Sequence, residues 1–131
     1  MATIKKFEDL EVWQIARDLC RSVYDLSGKG NFSRNFALRN QIQASSGSAM
    51  DNIAEGFGRA GKKEFIQFLG ISNGSTCEIK SQLYRALDQK YISITEFEES
   101  YNLADKLNNK LGSFISYLNK SDIKGEKFRN R

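Results

Sequence analysis

The sequence predicts an all-α protein, an antiparallel four-helix bundle whose helices run up, down, up and down. Apolar residues recur at the helical period of about 3.6 residues in four successive segments of the chain. The 131 residues include no proline, so no long helix has to break. No segment alternates apolar and polar residues as a half-buried strand does. Because short loops join the long helices, neighbouring helices should be antiparallel.

The first two helices are predicted at about residues 10–27 and 35–56. Gly28, Gly30 and Asn31 lie between them, and residues of these types are typical of loops. The apolar seam of the first helix consists of Val12, Ala16, Leu19, Val23 and Leu26. That of the second consists of Leu38, Ile42, Ser45, Ala49 and Ile53.

The other two helices are predicted at about residues 62–90 and 95–119. Thr95 and Glu98 have the spacing of a capping box, which would begin the fourth helix. The third seam consists of Phe65, Leu69, Ser72, Thr76, Ile79, Leu83 and Ala86. The fourth consists of Phe97, Tyr101, Ala104, Leu107, Leu111, Phe114 and Leu118. Residues 1–119 are therefore predicted to form one bundle, followed by a basic, flexible tail at 120–131.

The stretch GFGRAGKK, residues 56–63, matches both the G-x-G-x-x-G and the G-x-x-x-x-G-K nucleotide-binding patterns. Both patterns require a preceding strand, whereas the residues before Gly56 have a helical pattern. Lys63 also stands where a P-loop has Ser or Thr. We therefore expect no nucleotide here. Instead, Gly56 or Gly58 should take the left-handed conformation that ends a helix, and Gly61 should ease entry into the next one.

Two stretches of small residues, ASSGSA (44–49) and GISNGST (70–76), are unusual inside helices. Each of their internal glycines costs a helix about 1 kcal/mol relative to alanine. A hairpin that turns near residue 59 would place the two stretches opposite each other and allow the helices to pack closely. The residues predicted to make this close contact are Ala44, Ser48, Gly70 and Gly74. The alternative is that the small residues form a groove for another subunit or a peptide.

The composition argues against an enzyme. The chain has no histidine, which is the commonest general base and metal ligand. We predict no catalytic residue, no cofactor, no metal site and no small-molecule substrate. No apolar run approaches the roughly 18 residues that span a membrane, and the first residues contain no signal-like stretch. The sequence thus predicts a cytoplasmic protein without a membrane partner.

The net charge of +4 is unevenly distributed. In the predicted bundle, the chain start, the loop between the second and third helices and the chain end share one end, here called the basic end. It collects ten basic and six acidic residues, whereas the opposite end has four basic and five acidic residues. The basic residues are Lys5, Lys6, Arg59, Lys62, Lys63, Lys120, Lys124, Lys127, Arg129 and Arg131. They predict contact with a polyanion; the alternative is that they are only solvated loop and tail charges.

Three stretches, FEDLEVWQIARDL (7–19), QIQASSGSAMDNIAEGFGR (41–59) and EFIQFLGISNGSTCEIKSQL (64–83), resemble the four-helix-bundle family of 23S ribosomal RNA intervening-sequence proteins. The resemblance covers residues 7–119 and implies a bacterial, cytoplasmic homopentamer without enzymatic activity. It extends to the accessory variability protein of diversity-generating retroelements, which binds nucleic acid and a reverse transcriptase. The residues that match the family motif are Asn52, Glu55, Gly56, Gly58 and Arg59. We interpret them as a joint between helices or subunits.

Two functional hypotheses follow. The first is a ring-like homo-oligomer, a pentamer as the resemblance implies, that serves as an accessory to RNA, DNA or a nucleic-acid enzyme through its basic end. The second is a protein-interaction scaffold that binds no nucleic acid. The two differ in whether affinity for nucleic acid exists and falls with salt.

Overall fold

Five helices follow a short 3₁₀ turn, Phe7–Asp9, in the computed structural model, which describes residues 4–121. The helices are α1 (Glu11–Ser27), α2 (Gly30–Arg34), α3 (Phe36–Gly58), α4 (Lys62–Asp88) and α5 (Ile94–Lys120). No strand occurs within residues 4–121. The prediction of an all-α chain with four long helices is therefore confirmed.

The four long helices form the bundle, and each packs on two neighbours. Helix α1 contacts α3 and α5, and α4 contacts the same two helices, so α1 and α4 lie diagonally across the bundle. The largest side chains with almost no exposure to solvent are Phe32, Phe65, Leu19, Leu38, Ile42, Ile53, Leu69, Ile79, Leu83, Leu107 and Leu111. Most of them come from the four predicted seams, because residues at period 3.6 share one face of a helix.

The segment after α1 contains a helix that the sequence did not predict. Gly28, Gly30 and Asn31 led us to expect a loop, but Gly30–Arg34 forms the short helix α2. Its Phe32 is fully buried and stacks on Tyr91 at a ring-centroid distance of 5.6 Å. One buried aromatic side chain therefore holds a turn of helix whose own residues favour a loop.

The turn between α3 and α4 corrects the expected role of its glycines. Gly56 and Gly58 are both helical, and the left-handed conformation belongs to Ala60, with φ 65°. Gly56 is required for a different reason: a Cβ atom there would lie 2.5 Å from Cβ of Phe68 on α4. A glycine is thus needed near the α3–α4 turn, where the two helices approach each other closely.

The loop between α4 and α5 corrects the predicted capping box. Lys90 has φ 62°, and the hydrogen bonds that surround it close α4 before Tyr91. Helix α5 then begins at Ile94, and the box is formed by Ser93 and Glu96 rather than by Thr95 and Glu98. The hydrogen bond from the Ser93 backbone N–H and the nearby ammonium of Lys29 lower the pKa of Glu96 below its ordinary value of 4.5.

Candidate nucleic-acid interface and small-residue face

The chain start, the α3–α4 turn and the end of α5 lie at one end of the bundle. Lys62, the first residue of α4, donates a hydrogen bond from Nζ to the carbonyl oxygen of Ser121 at 2.6 Å. Deeper at this end, the rings of Phe65 and Phe114 meet at 5.3 Å. The 3₁₀ turn contacts both α1 and α3. These contacts place the described part of the basic end at a single surface.

The basic end is charged and accessible in the part of the chain that the structure describes. Its described basic residues are Lys5, Lys6, Arg59, Lys62, Lys63 and Lys120. All are exposed except Lys62, which is half-buried. With four carboxylates at the same end (Glu8, Asp9, Glu55 and Glu64), these six cations leave a net charge of +2. The other predicted contacts, Lys124, Lys127, Arg129 and Arg131, lie outside the described residues.

Two of these lysines occupy an electrostatically unfavourable position. Lys62 and Lys63 are the first two residues of α4, where the unpaired backbone N–H groups already carry partial positive charge. Within the described residues, Lys63 forms no ion pair and Lys62 contacts only a backbone oxygen. Lys120, in contrast, lies in the last turn of α5, where the helix dipole favours a cation.

The family-motif residues connect α3 with α4 inside one chain. Asn52 donates from Nδ2 to the Ser48 carbonyl at 2.8 Å and to Ser48 Oγ at 3.1 Å. Arg59 forms the ion pair with Glu55 that the spacing predicts, at 3.0 Å, and its guanidinium lies 5.3 Å from the ring centre of Phe68. The motif around Gly56 therefore builds the joint from which the α3–α4 turn emerges.

The predicted close contact between the small-residue stretches is wrong for Gly70 and Gly74. Both glycines are exposed, and a Cβ atom at either would meet nothing within 4 Å. Ala44 is exposed as well, and only Ser48 reaches α4, through a 2.8 Å hydrogen bond between its hydroxyl and that of Ser75. Gly70 and Gly74 lie two positions from the buried Ser72 and Thr76, so they face outward instead of meeting α3.

A shallow groove of about 540 Å³ runs between α3 and α4 on this outward side. Its lining residues are Gln41, Ala44, Ser45, Ser48, Ser75, Glu78 and Gln82. The groove is therefore mostly small and polar. Gln82 is only 9% exposed, and its Oε1 accepts no hydrogen bond from the described residues.

Neither a metal-binding cluster nor a membrane-spanning helix occurs among the described residues. No group of three or more histidine, cysteine, aspartate or glutamate side chains there could hold a metal ion. No helix between residues 4 and 121 is long and apolar enough to cross a membrane.

Comparison with known proteins decides the family. The sequence model described as 23S rRNA-intervening sequence protein matches residues 8–113, from the 3₁₀ turn into α5. The chain belongs to this family. A solved structure similar to this chain is the crystal structure of a protein with unknown function from the S23 ribosomal protein family, from Bacteroides thetaiotaomicron VPI-5482. The TM-score is 0.72 at 23% identity, over 79% of this chain and 97% of that one, which shows a shared fold. Comparison with curated proteins found no match.

The outward direction of Gly70 and Gly74 could have been predicted from the sequence, from their position relative to the seam of α4. Helical spacing shows that Gly70 and Gly74 share a face, but not whether that face meets α3 or solvent. The buried residues of α4 give the missing signal, because Ser72 and Thr76 belong to the predicted seam and point inward. A glycine two positions from such a residue has to point away from it.

Proposed function

We propose that the chain acts without catalysis, as a homo-oligomeric helical bundle that is an accessory to nucleic acid or to a ribonucleoprotein and contacts it through the basic end. The observation that carries this proposal is the cluster of exposed lysines at one end, among which Lys5, Lys6 and Lys63 have no ion-pair partner within the described residues. Such unpaired charge is available to phosphate groups.

The placement of Lys63 supports a role in contact rather than in folding. A cation in the first turn of a helix costs about 0.3–1 kcal/mol relative to a favourable charge. The neighbouring Glu64 shows the residue type that this position favours. A lysine that opposes the helix dipole and pairs with nothing else has no stabilising role in the bundle, whereas a phosphate would benefit from both the lysine and the N–H groups.

A homo-oligomer would strengthen the effect. If copies form a ring with their helices roughly along the symmetry axis, equivalent ends lie on the same rim, and several basic ends then act together on one polyanion.

The alternative function, a protein-interaction scaffold without nucleic acid, is favoured by a different observation. Gly70, Gly74 and Ala44 expose an outward face of small residues, with Ile71 exposed beside them at 47%. Such a face admits another helix at short distance. The scaffold uses this face and leaves the basic end solvated.

The deciding experiment measures binding of single-stranded and structured RNA at low salt. The test variant carries Lys5→Glu, Lys6→Glu and Lys63→Glu, three exposed positions that make no described contact needed by the fold. The matched control also carries three charge reversals, Arg34→Glu, Lys90→Glu and Lys106→Glu, at exposed positions away from the basic end. A second variant ends at residue 119 and removes the basic tail.

We expect the triple variant to lose most of its affinity for both RNA forms, whereas the control variant should retain more of its affinity. If the wild-type protein binds no RNA at low salt, the scaffold is the better function. Equal affinity of the triple variant, the shortened chain and the wild type would show that RNA contacts another surface.

A further inference from the structure

The outward side of α3 and α4 has a composition that a solvent-exposed helix does not need. We define the small-residue face as Ala44, Ser48, Ile71, Gly74 and Ser75. Gly74 is exposed in the middle of a 27-residue helix, and the space where its Cβ would lie is empty. Glycine weakens an exposed helix, so alanine would be better there unless another surface approaches closely.

A second observation at the same place indicates a missing partner. Gln82 lines the groove beside Ser75 and is nine-tenths buried, yet its Oε1 accepts no hydrogen bond from the described residues. A buried carbonyl oxygen without a donor is unfavourable in a folded chain. A side chain that brings N–H groups into this groove would correct it.

The charges along the groove specify the sign of that partner. Glu78 lines the groove and Asp51 lies on the exposed side of α3; neither forms an ion pair within the described residues. Arg85 lies near one end and is already hydrogen-bonded to Gln41 at 2.9 Å. The groove thus offers the Glu78 carboxylate and an unfilled acceptor, with the exposed Asp51 carboxylate farther along α3, and these are the groups that a guanidinium binds.

The same chain carries a surface with the complementary properties. We define the α1 ridge as Arg17, Arg21 and Tyr24, which lie on consecutive turns of α1 and are all exposed. Neither arginine has a carboxylate partner in the described residues, and Arg17 lies 5.7 Å from the ring centre of Trp13. Tyr24 is 51% exposed and gives the ridge an apolar ring.

We propose that the small-residue face of one copy receives the α1 ridge of a second copy. The arginines meet Glu78, Asp51 and the free Oε1 of Gln82, and Tyr24 packs against Ile71 over the surface that Gly74 leaves flat. This proposal rests on the homo-oligomer of the proposed function and assigns its contact surface.

The two surfaces lie on different sides of one copy, so the contact between copies is head-to-tail. The small-residue face lies between α3 and α4, whereas the ridge lies on the other side of α3, beside Met50, where α1 packs on α3. One copy can therefore use both surfaces at once, each with a different neighbour. Contacts between unlike surfaces form a closed ring when the rotation between copies closes.

The test compares Gly74→Leu with Gly112→Leu by light scattering over a dilution series. Both glycines are exposed within long helices, and a Cβ atom at either would meet nothing within 4 Å, but Gly112 is on α5, away from the small-residue face. Leucine at residue 74 should raise the apparent dissociation constant of the assembly by about tenfold or more, because it fills the space that the ridge occupies. Gly112→Leu should leave assembly unchanged.

A charge exchange tests the occupant directly. Arg21→Glu should weaken assembly, and the addition of Glu78→Arg should restore it, since the pair is then reversed in sign. Circular dichroism confirms that each variant folds. If the wild type assembles and Gly74→Leu assembles equally well, the assigned surface is wrong although the homo-oligomer stands. Failure of Glu78→Arg to restore Arg21→Glu would exclude the α1 ridge as the occupant. A monomeric wild type removes the homo-oligomer itself, while RNA binding by the basic end is measured separately.

Discussion

At the end of the bundle opposite the basic end, charged side chains connect helices. The ammonium of Lys29 lies 3.6 Å from a carboxylate oxygen of Asp25 on α1 and 3.6 Å from one of Glu96 on α5. Glu96 also completes the capping box with Ser93. Each charge in this group has a partner that contributes to the structure of the chain.

The basic end is held together mainly by packing, beside the Glu55–Arg59 ion pair and the hydrogen bond from Lys62 to Ser121. Gly56 lets α3 approach Phe68, and Phe65 packs on both Phe57 and Phe114. The exposed lysines of this end take no part in these contacts. The difference is that Lys29 joins helices through carboxylates at the opposite end, whereas Lys5, Lys6 and Lys63 at the basic end have no ion-pair partner within residues 4–121.

The largest expected effect is on the packing of the basic end. Gly56→Ala places a Cβ atom 2.5 Å from Cβ of Phe68, so α3 and α4 have to separate. We expect the free energy of unfolding to fall by about 1–3 kcal/mol, measured by urea denaturation. Gly58→Ala is the matched control, because a Cβ there meets nothing within 4 Å. Equal stability of the two variants would show that Gly56 is not a packing requirement.

A smaller loss is expected at the opposite end. Ser93→Ala removes the side chain that accepts a hydrogen bond from the Glu96 backbone N–H at 3.1 Å. Loss of such a cap costs about 0.5–2 kcal/mol. Thr95→Ala, at the other residue with capping-box spacing, should change thermal stability much less. A larger effect at residue 95 would mean that α5 begins later than the structure shows.

The four long helices and the capping box of α5 show which parts of the fold the sequence predicts. Periodicity predicts the four long helices because burial of one face dominates their stability. It does not distinguish Ser93–Glu96 from Thr95–Glu98, since both have the same spacing, and the choice depends on how Lys90 turns the chain after α4.

For the candidate sites, too, the sequence predicts some features and not others. The basic end follows from helix order alone, as Lys62 and Ser121 show by meeting across it. The direction of Gly74 follows as well, because the predicted seam residues Ser72 and Thr76 lie two positions away. The register of α3 on α4 does not follow, because it is set by particular contacts such as the hydrogen bond from Ser72 Oγ to the Ala49 carbonyl, 2.6 Å long.

A third change should separate binding from stability. Lys63→Glu replaces a cation in the first turn of α4 by an anion, which the helix dipole favours by about 0.3–1 kcal/mol. The variant should therefore melt at a higher temperature and bind RNA more weakly. Lys120→Glu, in the last turn of α5, should weaken both properties. If Lys63→Glu lowers stability, this lysine has a structural role.

The smallest effect is a dependence of stability on acid. The pKa of Glu96 is lowered in the folded chain by the Ser93 hydrogen bond and by Lys29, so its contribution is complete above the ordinary value of 4.5. The contribution should decrease as the pH falls through the lowered folded pKa. Glu96→Gln should remove that part of the pH dependence, measured by thermal unfolding between about pH 3 and 6. An unchanged profile would contradict the role given to Glu96.

The most direct test of the account is the salt dependence of RNA binding. For single strands, the slope of log K against log salt is about −0.7 for each phosphate neutralised. We expect log K to fall linearly with log salt for the wild type, and the slope to be shallower by about 2 when Lys5, Lys6 and Lys63 are all changed to Glu. Binding that does not depend on salt, or an identical slope for the wild type and the triple variant, would contradict a phosphate contact at the basic end.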